Sequence, residues 1–453
     1  MVKKIVVIAI SFAFALTSFI VGKSASGGVE VGAGKGVSRS INSVEELAEV
    51  ISKVPTFNDY LENSDLTSAE GFEDFKGVTV IETADRKDHS NYRYGIYLPT
   101  DEVCEGDPQY KSRTTSETIH RVEMSFAANA VYYHAVGSRG NGTYYYHDDY
   151  DENLRNNFYN DGLRYAERTR EDYDVEVYHS NSKTMFKINA WTSVDERATY
   201  FDYSKNNYNW SAYVPTVEDD EENSFSKTFE NEMLKIRDAS FGKWIELDLN
   251  AEVDEDFENI EDMTEDQIIN MYIDQIVATI SYTQVQSIAQ VNDNNKAYIS
   301  KLSTYLAAHA NDSEYFKKSG NNYDFISYKY VEPVRDSQTN EIIKEGYTDY
   351  TNITSYLKNV VGASFLNGSD QSTYLRSTFN VKSDLIMVNQ SFEQSTKYNS
   401  MRINSNTSFM YVDNTVVNLK NAKTITVEEA YGTPIRNFFN SNMQQIEDMM
   451  GGN

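Results

Sequence analysis

The sequence predicts an α+β protein in which a large, curved antiparallel β-meander is covered by helices, with a central helical hairpin at about 265–310 and a C-terminal amphipathic helix. Segments with period-two alternation follow one another with short polar turns, which leaves no room for the crossover helices of a parallel sheet. Segments with a period near 3.6 interrupt these strands in the middle of the chain and close it at the end. Hydrophobic residues make up 40% of the chain and aromatic residues 13%, which is enough to build a core.

The first 26 residues have the features of a secretory signal peptide. Lys3 and Lys4 supply the positive charge, an apolar run extends from Ile5 to Val21, and small residues up to Ser26 predict cleavage after that position. The alternative is an uncleaved anchor, because an apolar run of about 17 residues is at the short end of what can span a bilayer. We therefore expect membrane contact only through this segment.

Residues 27–42 are rich in glycine and serine and are predicted to form a flexible tether. Ser43 and Glu46 then have the spacing of a capping box, which begins a helix that ends before Pro55. The folded part of the chain is therefore expected to begin at residue 43.

Antiparallel strands are predicted from residue 78 onward. The long alternating segment Ile119–Val136 precedes Arg139–Gly142, whose glycines and asparagine suit the positive φ angles of a tight hairpin turn. In such a hairpin, His134 and His147 would face each other across two strands. The other predicted strands of this part are Val78–Ile81, Tyr92–Leu98, Thr143–His147, Asp174–Ser180, Thr184–Thr192, Ala198–Tyr203, Tyr208–Val214 and Trp244–Leu249.

Helical periodicity interrupts the strands. Apolar residues spaced four, four and three apart predict a helix over Ser224–Asp238. A capping box at Thr264 and Gln267 begins a longer amphipathic helix over about 265–290, and a partner helix ends near Ala310. These two helices are predicted to pack as a helical hairpin.

Residues 312–453 are predicted to form a second β-meander with a closing helix. Thr433 and Pro434 have the N-cap and first-position chemistry of a helix start, and apolar residues follow at helical spacing. This second part either forms its own module beside residues 43–311 or continues the same sheet. The elements predicted here are Tyr323–Val331, Asn352–Leu366 as a helix, Thr373–Val381, Asp384–Phe392, Lys397–Asn404, Ser408–Val412, a turn at Asp413–Asn414, Thr415–Leu419 and Thr424–Val427.

The charge balance excludes some classes of partner. The chain has 41 Lys and Arg against 69 Asp and Glu, a formal net charge of −28, so general attraction to nucleic acid or anionic lipid is not expected. Cys104 is the sole cysteine, which excludes an intrachain disulfide and any C-x-x-C motif. An exported chain without disulfides must rely on its buried core. We expect a secreted or extracytoplasmic protein associated with the cell envelope.

One acidic segment has the spacing of a calcium loop. Between Glu252 and Asp266 there are nine acidic residues and no basic residue. The position expected to carry glycine is Asn259, and the segment before it reads as a strand, so the alternative is a solvated linker that favours the start of the next helix. The five candidate ligands, at positions 1, 3, 5, 9 and 12 of the loop, are Asp254, Asp256, Glu258, Asp262 and Glu265.

The sequence contains no catalytic signature: G-x-S-x-G, H-E-x-x-H and a Gly-rich phosphate loop are all absent. No catalytic residue is therefore predicted, and the six histidines are interpreted as solvated or core residues. The 34 tyrosines alternate along strands, so some of their rings are expected to line a cavity or an exposed face, unless they serve only as large strand formers.

These features predict an exported, non-enzymatic protein that binds a lipid-like or glycan ligand on its curved sheet. In layout it resembles bacterial envelope proteins in which such a sheet, covered by helices, binds lipid. The first alternative is a secreted glycan hydrolase that uses two carboxylates. The second is a structural cell-surface protein whose acidic groups bind cations diffusely.

Overall fold

The computed structural model of the chain describes residues 29–33, 41–93, 110–147, 163–181, 183–198, 201–202, 207–208, 221–247, 267, 270, 296–297, 299–308, 316–331, 333–350, 372–382, 385–395, 399–420 and 422–442.

The fold is mixed α+β, with one large, mostly antiparallel sheet and few helices. Within the described ranges, thirteen strands form this sheet in the order β10-β11-β15-β16-β17-β2-β3-β4-β5-β6-β9-β19, and β14 pairs beside β11. Every pairing is antiparallel except that of β9 with β19. The strands of this sheet are β2 Val78–Arg93, β3 Tyr110–Ala127, β4 Ala130–His147, β5 Leu163–Ser180, β6 Lys183–Ala198, β9 Trp244–Leu247, β10 Phe316–Ser319, β11 Asn322–Val331, β14 Tyr347–Tyr350, β15 Ser372–Lys382, β16 Leu385–Ser395, β17 Asn399–Asp413 and β19 Thr424–Thr426. Two short pairs lie outside this sheet: β7 Phe201–Asp202 with β8 Asn207–Tyr208, and β12 Val334–Arg335 with β13 Ile342–Lys344.

The pairing of β17 with β2 joins the two halves of the chain. Its register runs from Asn399 opposite Tyr92 to Asp413 opposite Val78 without a break. Strands from residues 312–453 therefore belong to the same sheet as strands from residues 43–311.

A two-stranded ribbon lies against one side of the sheet. It consists of β1, Val29–Ala33, paired with β18, Thr415–Leu419. These five N-terminal residues differ from the flexible tether expected for residues 27–42. The reason is their alternation: Val29 and Val31 pack against a buried cluster that contains Trp244 and Val417.

The hairpin expected at Arg139–Gly142 is a wrong prediction. Strand β3 ends at Ala127, the turn follows immediately, and β4 runs from Ala130 through all four of those residues to His147. His134 and His147 therefore lie 13 residues apart on a single strand, about 40 Å from each other at the rise of an extended chain.

Close packing against neighbouring strands, and not a turn, explains why residue 137 of β4 is a glycine. A Cβ atom on Gly137 would lie 2.6 Å from the carbonyl oxygen of Ile119 and 2.7 Å from the hydroxyl oxygen of Tyr173. A glycine inside a strand pattern can mark such a close approach as readily as it marks a turn.

Short helices cover the other side of the sheet. Helix α1 is N-capped by Ser43, whose side chain accepts from the backbone N–H of Glu46, while the Glu46 carboxylate accepts from the N–H of Asn42. The π-helical turn Glu428–Gly432 leads directly into α5, so the chain is already helical before Pro434. The α-helices that the described ranges contain in full are α1 Val44–Ser52, α2 Phe57–Glu62, α3 Glu221–Ala239, α4 at 299–308 and α5 Thr433–Ser441. Most of the helical hairpin expected at about 265–310 lies outside the described residues.

The core lies between these helices and the sheet. We call this side of the sheet the helix face; its buried side chains on the long strands include Val80, Met124, Tyr133, Val177 and Phe186. The opposite side, which contacts the β1–β18 ribbon, is the ribbon face; it carries Tyr132, Tyr178, Met185 and Trp244 in a second, smaller buried cluster. The inner ends of the long strands are thus buried on both sides.

Candidate functional site

A row of ionisable side chains crosses four neighbouring strands on the ribbon face. The backbone register places Glu123 opposite His134, His134 opposite Glu176, and Glu176 opposite Lys187. Directly opposite side chains in an antiparallel pair lie on the same face and in contact range. We call these four residues the polar row.

Lys187 and Glu176 form a fully buried ion pair at the end of the row. The Nζ atom of Lys187 lies 2.7 Å from Oε1 of Glu176, and the two side chains are 0% and 2% exposed. The ring of Trp244 lies 4.7 Å from the same Nζ atom. Because ions are costly to remove from water, this pair needs further polar contacts to be stable.

Tyr132 supplies one of those contacts. Its hydroxyl donates to Oε2 of Glu176 across 2.6 Å. Burial, followed by the negative charge of Glu176, raises the pKa of Tyr132 well above its ordinary value. The phenol therefore stays protonated and acts as a hydrogen-bond donor.

Asn189 links Glu176 to a second carboxylate. Its side-chain nitrogen donates to Oδ1 of Asp174 at 2.5 Å and to Oε1 of Glu176 at 2.9 Å. A register shift between Asp174 and Val175 adds one residue to β6 at this point, which lets Asn189 reach both acids. Burial is the main cause that raises the pKa of Asp174.

His134 is the least satisfied member of the row. It is buried, its ring lies 5.7 Å from that of Tyr132, and in the described part of the chain nothing hydrogen-bonds to its Nε2 atom. Burial lowers the pKa of His134, and the charges of Glu176 and Glu123 oppose that shift. The imidazole is therefore neutral at pH 7.

This arrangement places a buried amine, carboxylate and phenol in direct contact, with Asp174 and the His134 imidazole close by. Such a group can transfer protons internally or react within itself, since both members of its central ion pair are closed to solvent.

A second polar surface lies on the helix face, where the long strands leave the core. Arg139 donates through Nε to Oε2 of Glu171 across 2.6 Å, and both side chains are partly exposed. His120 Nε2 lies 3.3 Å from Oε1 of Glu82. We call the group consisting of Thr118, His120, Arg139, Glu171 and Trp191 the border surface.

Trp191 is the aromatic member of the border surface. Its ring lies 5.8 Å from that of Tyr173, and the guanidinium carbon of Arg237 lies 5.6 Å from it. The ring remains partly exposed. An indole ring beside charged and hydroxyl groups offers both stacking and hydrogen bonds to a ligand.

The helix face also contains a small apolar cavity. Its volume is about 20 Å³, and its lining includes Ile51, Val54, Met124, Lys296 and Phe409. That space holds about one water molecule.

The calcium-loop residues Asp254, Asp256, Glu258, Asp262 and Glu265 all lie outside the described residues. Across the described ranges, no group of three or more His, Cys, Asp or Glu side chains is placed to hold a metal ion.

The two buried histidines His179 and His134 differ in their hydrogen bonding. His179 is buried and satisfied: its Nδ1 lies 2.6 Å from Thr184 Oγ1, and its Nε2 lies 3.3 Å from the carbonyl oxygen of Tyr60. His134 is buried without a partner for Nε2 among the described residues. The pairing of His134 with His147 expected from the sequence is not formed, because both lie on β4.

Sequence reasoning missed Glu176 and Lys187. In β5, acidic residues alternate with valines, a pattern that normally indicates one solvated face. A signal was nevertheless present in β6, where Lys187 lies between the apolar residues Phe186 and Ile188.

No protein-family model matches this chain, and no curated protein matches its sequence. Among the helices that the structure describes, none is long and apolar enough to cross a membrane.

Proposed function

We propose that the chain is an exported, non-enzymatic protein of the cell envelope that binds a glycan-type ligand on its antiparallel sheet. The observation that carries this proposal is the border surface, where the partly exposed Trp191 shares the helix face with the Arg139–Glu171 hydrogen bond and lies diagonally across the β5–β6 pair from Glu171. Sugars present hydroxyl groups together with apolar ring faces, and this combination of side chains matches both.

The scaffold of this proposal is a curved sheet with a helical hairpin at about 265–310 and an amphipathic helix at the C-terminus. Right-handed strand twist and the β-bulge near Asp174 favour curvature. Helix α5 buries Ile435, Phe438 and Phe439, which supports an amphipathic closing helix.

The packing of the helix face favours a glycan over a lipid. An acyl chain needs an apolar cavity of several hundred cubic ångströms, whereas the apolar cavity that the described residues form beside Ile51 and Phe409 has about 20 Å³. The polar outer halves of the strands on this face offer donors and acceptors instead, as in the partly exposed pair Arg139–Glu171.

The test begins with native mass spectrometry of the protein purified from its own envelope. We expect a glycan adduct that is lost on denaturation. A lipid adduct would overturn the choice of ligand, and the absence of any adduct would favour the structural alternative.

Two matched variants then locate the site. Arg139→Gln removes the donor to Glu171 on the helix face, whereas Arg168→Gln removes the donor to Glu196 on the ribbon face of the same sheet. We expect Arg139→Gln to weaken binding of the identified glycan at least tenfold and Arg168→Gln to change it less than twofold. Equal losses would place the ligand elsewhere.

A carboxylate-dependent glycan hydrolase is the second candidate, favoured by one observation. Asp174 and Glu176 accept from the same Asn189 nitrogen, so their carboxyl groups are close together, and burial raises the pKa of Asp174. Glycosidases use such pairs of acids in different protonation states. Incubation with envelope glycans and measurement of new reducing ends separates the candidates, because the binding protein produces none.

A further inference from the structure

The buried pair Lys187–Glu176 has the geometry of two groups about to condense. We propose that Nζ of Lys187 and Cδ of Glu176 form an intramolecular amide bond that cross-links strands β5 and β6. The inference concerns the covalent structure of the protein and does not depend on which ligand the sheet binds.

Position is the first argument. Glu176 and Lys187 are register partners on adjacent strands, so the fold holds their side chains opposite each other on one face. The Nζ–Oε1 distance is 2.7 Å, and a carbon–oxygen bond is about 1.2 Å long, so Nζ lies within about 4 Å of Cδ. That is close to the approach distance of a near-attack geometry.

Activation of the carboxyl group is the second argument. Tyr132 donates to Oε2 at 2.6 Å, which places a donor where negative charge develops when an amine attacks Cδ. Asn189 donates to Oε1, the oxygen that would leave. The two oxygens of Glu176 are thus held by different donors and are not equivalent.

The dry environment is the third argument. With 0% and 2% exposure, the ion pair is separated from bulk water, so solvent neither separates the two reacting groups nor hydrolyses the product. The neutral amine is nucleophilic, and the neutral carboxyl group is electrophilic. Asp174 lies close to Glu176, because both accept from Asn189, and burial raises its pKa.

The reaction balances without an added reagent. The ammonium and carboxylate become amine and acid, Nζ forms a bond to Cδ, and the Cδ–Oε1 bond breaks as Oε1 leaves with two protons as water. The product is a neutral amide, which removes two buried charges from the site.

Peptide mapping of the folded, full-length protein tests the proposal. Trypsin does not cleave after an acylated lysine, so the cross-link predicts a branched species made of residues 171–183 and 184–197, lighter than the two peptides by one water. The separate peptides 171–183 and 184–187 should be lost. Fragmentation should locate the branch at Glu176 and Lys187.

The chain contains a matched internal control. Lys87 and Glu117 are also register partners at 2.7 Å, but their side chains are 51% and 49% exposed. We expect complete cleavage after Lys87 in the same digest, because water solvates this pair.

Two variants complete the test. Lys187→Arg keeps the cation but removes the amine, and should abolish the branched species. Tyr132→Phe keeps both reacting groups and should lower the cross-linked fraction at a fixed time after synthesis. Complete cleavage after Lys187 in the wild-type protein would overturn the proposal whether or not the variants fold, as would an equal branched fraction at Lys87.

Discussion

Tyr60 on helix α2 donates its hydroxyl hydrogen to the carbonyl oxygen of Ala127, the last residue of β3, across 2.6 Å. The bond is buried, and burial raises the pKa of Tyr60 well above its ordinary value. It connects a helix that the sequence did not specify to the turn between β3 and β4. The hydrogen bond therefore attaches helix α2 to the end of strand β3.

Replacing Tyr60 by phenylalanine should destabilise the protein. The ring keeps its apolar contacts, but the buried carbonyl of Ala127 loses its partner, which costs about 1–3 kcal/mol. The free energy of unfolding in urea measures this loss. Tyr347→Phe is the control. Tyr347 is 47% exposed, so the loss of its hydroxyl group should leave the urea midpoint of unfolding unchanged. Equal midpoints for the two variants would contradict the assigned hydrogen bond.

Gly137→Ala should be far more harmful than Gly140→Ala. The new Cβ at position 137 would overlap Ile119 and Tyr173, at a cost of about 1–3 kcal/mol for forced repacking. At position 140 the nearest atom, the carbonyl oxygen of Thr169, is 3.5 Å away, an ordinary contact. Thermal unfolding of both variants distinguishes the extended strand from the hairpin turn that the sequence suggested at Arg139–Gly142. In a turn, Gly140 would be the position more sensitive to substitution.

Lys187→Met should cost about 3–5 kcal/mol relative to wild-type protein in which the Lys187–Glu176 amide has not formed, because it leaves Glu176 buried with its principal charge partner removed. Loss of the proposed cross-link would add to this cost. Lys87→Met is the matched control, since it breaks a cross-strand pair of the same length that is half exposed. Its unfolding midpoint should remain close to that of the wild type, because exposed pairs contribute little. Similar midpoints for the two variants would show that Lys187 is not buried as described.

Stability should fall as the pH drops below about 6.5. Burial lowers the pKa values of His134 and His179 in the folded state, so the unfolded chain binds protons more readily. Their contribution is complete above the pKa of an unfolded histidine and is lost as the pH falls through the lowered values. Urea unfolding at pH 8 and pH 5.5 measures the effect.

Variants test the assignment of this pH dependence. His134→Gln should flatten the profile, although Glu123, Glu176, Arg121 and Lys187 around the ring also contribute to its charge balance. Gly137→Ala should lower stability at both pH values equally, because it removes no titrating group. A profile that His134→Gln and His179→Gln leave unchanged would assign the acid sensitivity to other residues.

The acidic segment Glu252–Asp266 predicts that calcium stabilises the protein. If Asp254, Asp256, Glu258, Asp262 and Glu265 bind calcium, the melting temperature in excess calcium should exceed that in EDTA by several degrees, since a ligand that binds only the folded state stabilises it. Asp254→Asn with Glu265→Gln should remove the difference. Coincident melts of the wild-type protein would contradict the site.

The elements that the sequence specified are those encoded by local chemistry. Ser43 caps a helix, Asn181 follows β5 at a turn, and Asn414 has the positive φ of 59° that a turn at Asp413–Asn414 needs. Each of these depends on a side chain acting on its own backbone or on near neighbours. The alternation of apolar residues predicted the antiparallel strands for the same reason.

Tertiary structure decided which strands pair and which polar groups are buried. The β17–β2 pairing joins distant segments through backbone hydrogen bonds. Backbone groups are the same in nearly every residue, so the sequence does not show which strands pair. The glycines and Asn141 between Arg139 and Gly142 suggested a turn, but neighbouring strands on both sides hold the segment extended. Glu176 and Lys187 alternate with apolar residues as a solvent-facing row would. They are nevertheless buried: Trp244 and Tyr132 contact them, and both aromatic residues belong to the cluster against which β1 packs, a layer that the local pattern does not encode. The sequence by itself determined an acidic α+β chain with antiparallel strands and no disulfide. Only long-range packing buried the Lys187–Glu176 pair, because desolvation depends on what lies across the face and not on what lies next along the chain.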